Sequence, residues 1–283
     1  MSRSPRPAGR LDPSALFTVR TPRVVAARKL QRRRDRDQAR QFLADGPQAV
    51  REALALPAAV RQLFVTADGY AAHAALADTA VSAGVDVALV TDEAMTALSE
   101  TVQPQGILAV CDQLDEPLSD ALGAHPRLVV VLVDIRDPGN AGAILRTADA
   151  AGAWAVIFAG ETVDPYNAKC VRSSAGSLFH LPIVRDRDTN AVLSALRSRG
   201  VQLLAASGYG DQDLYERAES DGLDAPTAWV FGSEAHGLSP AVIAAADACV
   251  RVPLYGRAES LNLAAAAAVC LYASASAQRR AMS

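Results

Sequence analysis

Three times in the second half of this chain an apolar run stops at a polar, glycine-bearing loop and gives way to a helical pattern. In the first, Leu128-Val129-Val130-Val131-Leu132-Val133 runs into Asp134-Ile135-Arg136-Asp137-Pro138-Gly139-Asn140, and the apolar positions then take helical spacing from Ala141 to Ala150. A short β-branched run closed by Pro-Gly is a buried strand leaving through a turn. Asn140 and Arg146 therefore sit near the carboxyl end of a sheet, where open α/β folds bind ligands. Phe231-Gly232-Ser233-Glu234-Ala235-His236-Gly237-Leu238 and Val252-Pro253-Leu254-Tyr255-Gly256-Arg257-Ala258-Glu259-Ser260-Leu261-Asn262-Leu263 repeat the design. Strands alternating with helices in this way predict an α/β fold with a parallel sheet covered on both faces.

At 283 residues the chain has room for two modest domains. No run approaches the roughly 18 uninterrupted apolar residues of a membrane helix, and no apolar signal core follows the N-terminal arginines, so a cytoplasmic protein is expected. Cys111, Cys170, Cys249 and Cys270 are far apart and the four histidines show no ligand spacing. Neither a disulfide framework nor a metal site is expected, only reduced and mostly buried thiols. The net charge of −3 hides a division: residues 1–40 hold twelve Arg or Lys against three Asp, and the remainder sixteen against twenty-eight acidic residues. Arg28, Lys29, Arg32, Arg33, Arg34, Arg36 and Arg40 lie on an expected basic helix reaching Phe42, whose charge suits contact with a nucleic-acid phosphate backbone; a solvated charged helix is the other reading.

The expected layout is a disordered tail over 1–16, a small α/β domain over 17–112, a linker over 113–126 and a larger α/β domain over 127–283. In the first domain, helices are expected over 48–56, 71–83 and 92–98 and strands over 62–66, 86–90 and 107–111. In the second, strands are expected over 128–133, 154–159, 181–184, 202–206, 229–231 and 251–254, with helices over 141–150, 168–175, 190–199, 240–248 and 261–278. The last helix is Ala-rich on nearly every side, which predicts burial all round.

Taken together and in this order, the three loops resemble the signature motifs of the SpoU (TrmH) family of RNA ribose 2'-O-methyltransferases, within the SPOUT superfamily. The stretch Lys169-Cys170-Val171-Arg172-Ser173-Ser174-Ala175-Gly176-Ser177-Leu178-Phe179-His180-Leu181-Pro182 is similar to the family's segment between its first and second motifs. The close resemblance covers about 128–273. The Arg-rich start with Phe42-Leu43-Ala44-Asp45-Gly46-Pro47-Gln48-Ala49-Val50 is similar to the ribosomal-protein-like substrate-binding domain of many SpoU proteins, with Asp45 where the family usually has Glu. The resemblance implies S-adenosylmethionine as methyl donor, bound through the main chain at Gly232, Val252 and Leu261 with Leu254 and Ser260 beside them. It further implies a trefoil knot at the C-terminal segment, a homodimer across it, and ribosomal RNA as the favoured substrate, since the two-domain layout resembles the ribosomal branch, with a tRNA ribose 2'-O-methyltransferase as the alternative.

Methyl transfer to a ribose hydroxyl is an in-line displacement, so positioning dominates, on the order of 7 to 11 kcal/mol. Arg146 is the family's proposed activator; a guanidinium stays protonated, so it reads first as an anchor for phosphate and developing alkoxide and second as a base. Asn140 can orient a ribose or the Arg146 side chain across a subunit interface. Glu234, taken as a buried carboxylate, would hold Asn262 or Arg146, and Ser260 and Asn262 suit helix caps as well as a site. His236 reads as a satisfied loop residue, and Arg172 and Ser173 as RNA or loop-anchoring contacts. Two other readings stay open: a nicotinamide dehydrogenase, against which Asp213 replaces the third glycine after Ser207-Gly208-Tyr209-Gly210, and a non-catalytic RNA-binding or ribosome-assembly factor.

Overall fold

A computed structural model describes residues 11–123 and 125–282. Two compact units emerge: Met1–Leu114 with Tyr166–Phe179, and Asp115–Pro165 with His180–Ser283. Residues 166–179, expected within the C-terminal domain, thus cluster with the N-terminal unit.

The first unit runs β1 (Leu11–Phe17), α1 (Pro22–Lys29), α2 (Arg33–Ala39), β2 (Gln41–Asp45), α3 (Pro47–Ala55), β3 (Val60–Val65), α4 (Ala67–Ala72), α5 (Ala74–Ser82), β4 (Asp86–Val90), α6 (Asp92–Leu98) and β5 (Ile107–Asp112). Its sheet has the order β1-β4-β3-β5-β2, parallel across β1, β4 and β3 and antiparallel from β3 through β5 to β2. Two expectations fail here. Part of the tail expected over 1–16 lies outside the described residues, but 11–16 is edge strand; an edge tolerates Pro13, and the register with β4 shifts between Leu11 and Leu16. The single basic helix to Phe42 is two helices and a strand. The buried Arg36 donates from Nη1 to the carbonyls of Leu30 and Gln31, closing the turn between α1 and α2, and Arg40 leaves α2 with a left-handed φ of 54°. Phe42 then enters β2 fully buried, against Tyr166 and Phe179. The helix expected over 71–83 likewise divides at His73 into α4 and α5.

The second unit runs α7 (Leu118–Ala121), β6 (Leu128–Val133), α8 (Pro138–Ala151) and β7 (Ala155–Ala159); α9 (Ala168–Ser173) follows in sequence but belongs to the first unit. Next come β8 (Ile183–Asp186), α10 (Thr189–Arg197), β9 (Gln202–Ala206), β10 (Gln212–Asp213), α11 (Leu214–Glu219), β11 (Thr227–Phe231), α12 (Pro240–Ala245), β12 (Ala248–Arg251) and α13 (Leu263–Arg280). The sheet is parallel throughout, in the order β10-β12-β9-β11-β6-β7-β8. Every residue of β6, β7 and β11 is buried, as strands covered on both faces must be. One face packs Val129, Val131, Val230 and Leu203 against Val192, Leu193 and Leu196 of α10.

Three differences bear on function. The expected linker contains the short helix α7, and Asp115 bridges to Ile183 in parallel fashion. The strand expected over 251–254 is instead Ala248–Arg251, which places Val252, Pro253 and Leu254 in the loop beyond it. Helix α13 is not buried all round: Ala267, Cys270, Leu271, Ser274, Ala275, Ala277 and Gln278 face inward, whereas Tyr272 is half exposed. Its inner side is anchored by the Trp229 indole donating to the Ser274 hydroxyl at 2.9 Å and by Gln278 donating to the carbonyls of Arg127 and Ala225.

Candidate active site

The three loops leave the carboxyl ends of β6, β11 and β12. Between β12 and β6 lie β9 and β11, so the segment after β12 crosses three strand spacings, on the order of 14 Å, before α13 begins. It ends at Asn262, where the loops join.

Helix α8 starts where it does because Asp137 accepts from the backbone N–H of Gly139 and Asn140 and Pro138 occupies the first turn; it stops at Gly152, in the left-handed region at φ 77°. This sets Asn140 at the sheet edge. The Asn140 Nδ2 donates to Glu234 Oε1 at 3.0 Å, and Asn262 Nδ2 donates to Asn140 Oδ1 at 3.0 Å. The Asn262 Oδ1 in turn accepts from the backbone N–H of Ala264 and Ala265, capping α13. A residue from each loop therefore enters one hydrogen-bonded chain, and both amide orientations are determined by it. Each amide keeps one N–H for a further partner.

Glu234 differs from its expected character. It is exposed rather than buried, and it holds Asn140 and the backbone N–H of Arg136 and Asp137, not Arg146. Desolvation works to raise its carboxyl, but the Asn140 amide and the backbone N–H groups of Glu234, Arg136 and Asp137 outweigh it and hold the group below its ordinary range. Gly232 is required by its own loop: a Cβ there would lie 2.3 to 2.4 Å from backbone atoms of Gly237 and Leu238. Ser233 and Gly237 close that loop by exchanging backbone hydrogen bonds, with Gly237 at φ 65°, and the His236 N–H donates to Ser233 Oγ.

Arg146 is not brought to this cluster. Six residues past Asn140, it lies about 9 Å further along α8 and about 120° around it, and its side chain is exposed. Ser260 and Leu261 are exposed in the loop, with Leu254 beside them at 40% exposure. Among the described residues, 253–261 makes no main-chain hydrogen bond to the protein. Such groups require water or a ligand, so the donor set fits main-chain recognition of an adenosyl group.

In the first unit, Arg28, Lys29, Arg32, Arg33 and Arg34 are exposed, with Arg33 paired to Asp37 at 3.7 Å. Arg172 is half-buried, and its charge acts on Asp45: burial raises that carboxyl while the Ser99 hydroxyl and Arg172 draw it down. Ser173 Oγ donates to the Lys169 carbonyl four residues back in α9, a bond within the helix rather than a loop anchor. Three of the four free thiols are buried, and the described residues hold no group of His, Cys, Asp or Glu suited to a metal.

Sequence reading missed two contributors. Asp137 was legible as a cap ahead of Pro138. Asp134 carried no such signal: at φ 54° it ends β6, and its Oδ1 accepts from the Glu161 N–H at 2.7 Å.

Residues 127–272 match the SpoU rRNA Methylase family, and residues 21–109 an MRM3-like substrate binding domain. The chain is 33% identical over 255 residues to the 23S rRNA (guanosine(2553)-2'-O)-methyltransferase RlmP of Bacillus subtilis, covering 90% of this chain and 96% of that protein. It superimposes with a TM-score of 0.79 and 32% identity on an AdoMet-bound rRNA methyltransferase from Sinorhizobium meliloti, over 95% of this chain and 99% of that one. The SpoU methyltransferase AviRb of Streptomyces viridochromogenes, in complex with AdoMet, gives 0.78 and 30%, over 93% and 100%.

Proposed function

The chain belongs to the SpoU rRNA methylase family, and from that premise we propose that it transfers a methyl group from S-adenosylmethionine to one ribose 2'-hydroxyl of large-subunit ribosomal RNA. The observation that carries this reading is the Glu234–Asn140–Asn262 chain beside the unpaired main chain of 253–261. When bound, S-adenosylmethionine supplies an electrophilic methyl on sulfur. The protein supplies position: Asn140 and Asn262, each with an N–H to spare, hold the ribose, and the main chain around Gly232, Val252 and Leu261 grips the adenosyl group, with Leu254 and Ser260 at its edge.

Arg146 stands too far around α8 to serve Asn140 of its own chain, and its free guanidinium completes the site of a second copy, steadying phosphate and developing alkoxide. The reading therefore includes a homodimer. The apolar, half-exposed Tyr272 side of α13 suits such an interface, and the reading includes the family's trefoil knot at the segment leading into α13. Arg28, Lys29, Arg32, Arg33 and Arg34 of the first unit meet RNA phosphates, with release of counterions. Such a protein works in the cytoplasm, where ribosomes are built; no helix among the described residues is long and apolar enough to cross a membrane.

Mapping ribose methylation across total RNA from cells with and without this protein tests the proposal. One 2'-O-methyl mark in large-subunit rRNA should vanish with the protein. Identical maps, or a lost mark confined to tRNA or to a base, would contradict it.

A further inference from the structure

Strands β9 and β12 are hydrogen-bonded neighbours, and each ends in a loop carrying a tyrosine that the rest of the chain leaves bare: Tyr209 is 100% exposed and Tyr255 is 86% exposed. A lone exposed aromatic needs no explanation. These two stand at the same sheet edge as the methyl-donor loop, Tyr255 within it, and the Tyr209 loop is built to hold its place. The Ser207 N–H donates to the Val250 carbonyl at 3.0 Å, and Gly210 lies so close to β12 that a Cβ would come within 2.6 Å of the Val250 carbonyl carbon. Arg251 Nη1 donates to the carbonyls of Gly210 and Asp211, and its guanidinium faces Asp213 at 3.8 Å. Gly210 thus seats this loop on the sheet, with Tyr209 at its apex and the Tyr209 N–H turned back to Ser207 Oγ.

We propose that Tyr209 and Tyr255 form a stacking platform for the unpaired bases next to the ribose being methylated. The inference rests on the RNA methyltransferase reading and specifies how its substrate is held. A 2'-hydroxyl within folded RNA becomes reachable when its nucleotide leaves the stack, and aromatic faces replace the stacking lost. Every base has a π-face, so such a platform strengthens binding without reading sequence. The surroundings favour RNA over a protein partner. Tyr209 is flanked by glycines, with Ser207 and Asp211 just beyond, so it is not the centre of an apolar patch of the kind protein interfaces bury; Tyr255 has Leu254 before it at 40% exposure, and Gly256, Arg257, Glu259 and Ser260 after it.

The test compares Tyr209→Ala and Tyr255→Ala with Tyr209→Phe and Tyr255→Phe in the full-length protein. Each Ala variant should raise the KM for large-subunit rRNA, and the Kd for a short fluorescein-labelled oligouridylate read by anisotropy, by roughly five- to a hundredfold. The Phe variants should stay near wild type, sedimentation should not move in any of the four, and S-adenosylmethionine affinity should hold in the two Tyr209 variants. Wild-type RNA affinity in the Ala variants overturns the proposal, as does a changed sedimentation coefficient, which makes the rings a protein contact, or a lost methyl-donor affinity in a Tyr209 variant, which places that ring in the donor pocket. If the wild type methylates no rRNA, the functional reading fails by itself, and the oligouridylate arm still decides the stacking.

Discussion

The loop after β6 and the loop after β12 serve one site in opposite ways. Between Asp134 and Asn140 the chain is held at nearly every step: Asp134 accepts from Glu161, the Ile135 carbonyl accepts from the Val163 N–H at 2.8 Å, Arg136 and Asp137 donate to Glu234, and Asp137 caps α8. Among the described residues, 253–261 has no comparable bond until Asn262 is reached. On the proposed reading, the side given to the ribose is organised in advance, and the side given to the methyl donor keeps its main-chain groups for the ligand. Preorganised dipoles need no rearrangement at the moment of reaction, which is where much catalytic advantage lies.

Gly232→Ala should break the fixed side most severely. The new Cβ meets backbone rather than a flexible side chain, so a loss of about 3 kcal/mol in urea unfolding is expected, with methyl transfer abolished. An unchanged midpoint would mean the Gly232 loop can open without cost. Arg146→Lys keeps a charge but loses the planar fork; turnover should fall on the order of a hundredfold with S-adenosylmethionine affinity intact, whereas near-normal turnover would remove the guanidinium from the chemistry.

Asn262→Ala cuts the point where the two loops meet. Loss of the α13 cap should lower stability by about 1 kcal/mol, and the freed Asn140 amide should lower kcat more than it raises the donor KM. A stability loss with unchanged kcat would reduce Asn262 to a cap. The smallest effect belongs to Glu234→Gln. Because the Glu234 carboxyl in the folded chain titrates below its ordinary value of 4.5, its contribution is complete above that value and is lost as pH falls through the folded pKa. Urea midpoints of wild type and variant should therefore differ at neutral pH and converge as the pH falls below 4.5 and through the folded pKa; a gap constant across that range would show the charge does not matter.

What could be read from the chain follows the strength of the local signal. Strands β4, β6 and β9 and helix α6 lie where their apolar periodicity places them, because burial on defined faces leaves a regular trace. The end of β12 was misplaced because Val252-Pro253-Leu254 is as apolar as a strand; Pro253 has no N–H for a ladder, and pairing stops at Arg251. The basic run reads as one helix until Arg36 is seen to turn inward, since nothing local distinguishes an arginine that closes a turn from one that meets solvent. Helix α11 went unread among Asp, Glu and Ser residues that give little apolar rhythm. At the site, Asn140, Glu234 and Asn262 were legible as members, yet their bonds to one another were not, because these join positions 94 and 122 residues apart. The separation of Arg146 from Asn140 is a matter of helical phase, available from the six-residue spacing once α8 is known to be unbroken.

The contrast between the two loops is tested most directly by amide hydrogen exchange with and without S-adenosylmethionine. The account predicts that 253–261 exchanges freely alone and gains strong protection on binding, while the Arg136, Asp137 and Asn140 amides are protected throughout. Equal exchange of 253–261 in both conditions, or protection that appears at 136–140 only with the donor, would contradict it.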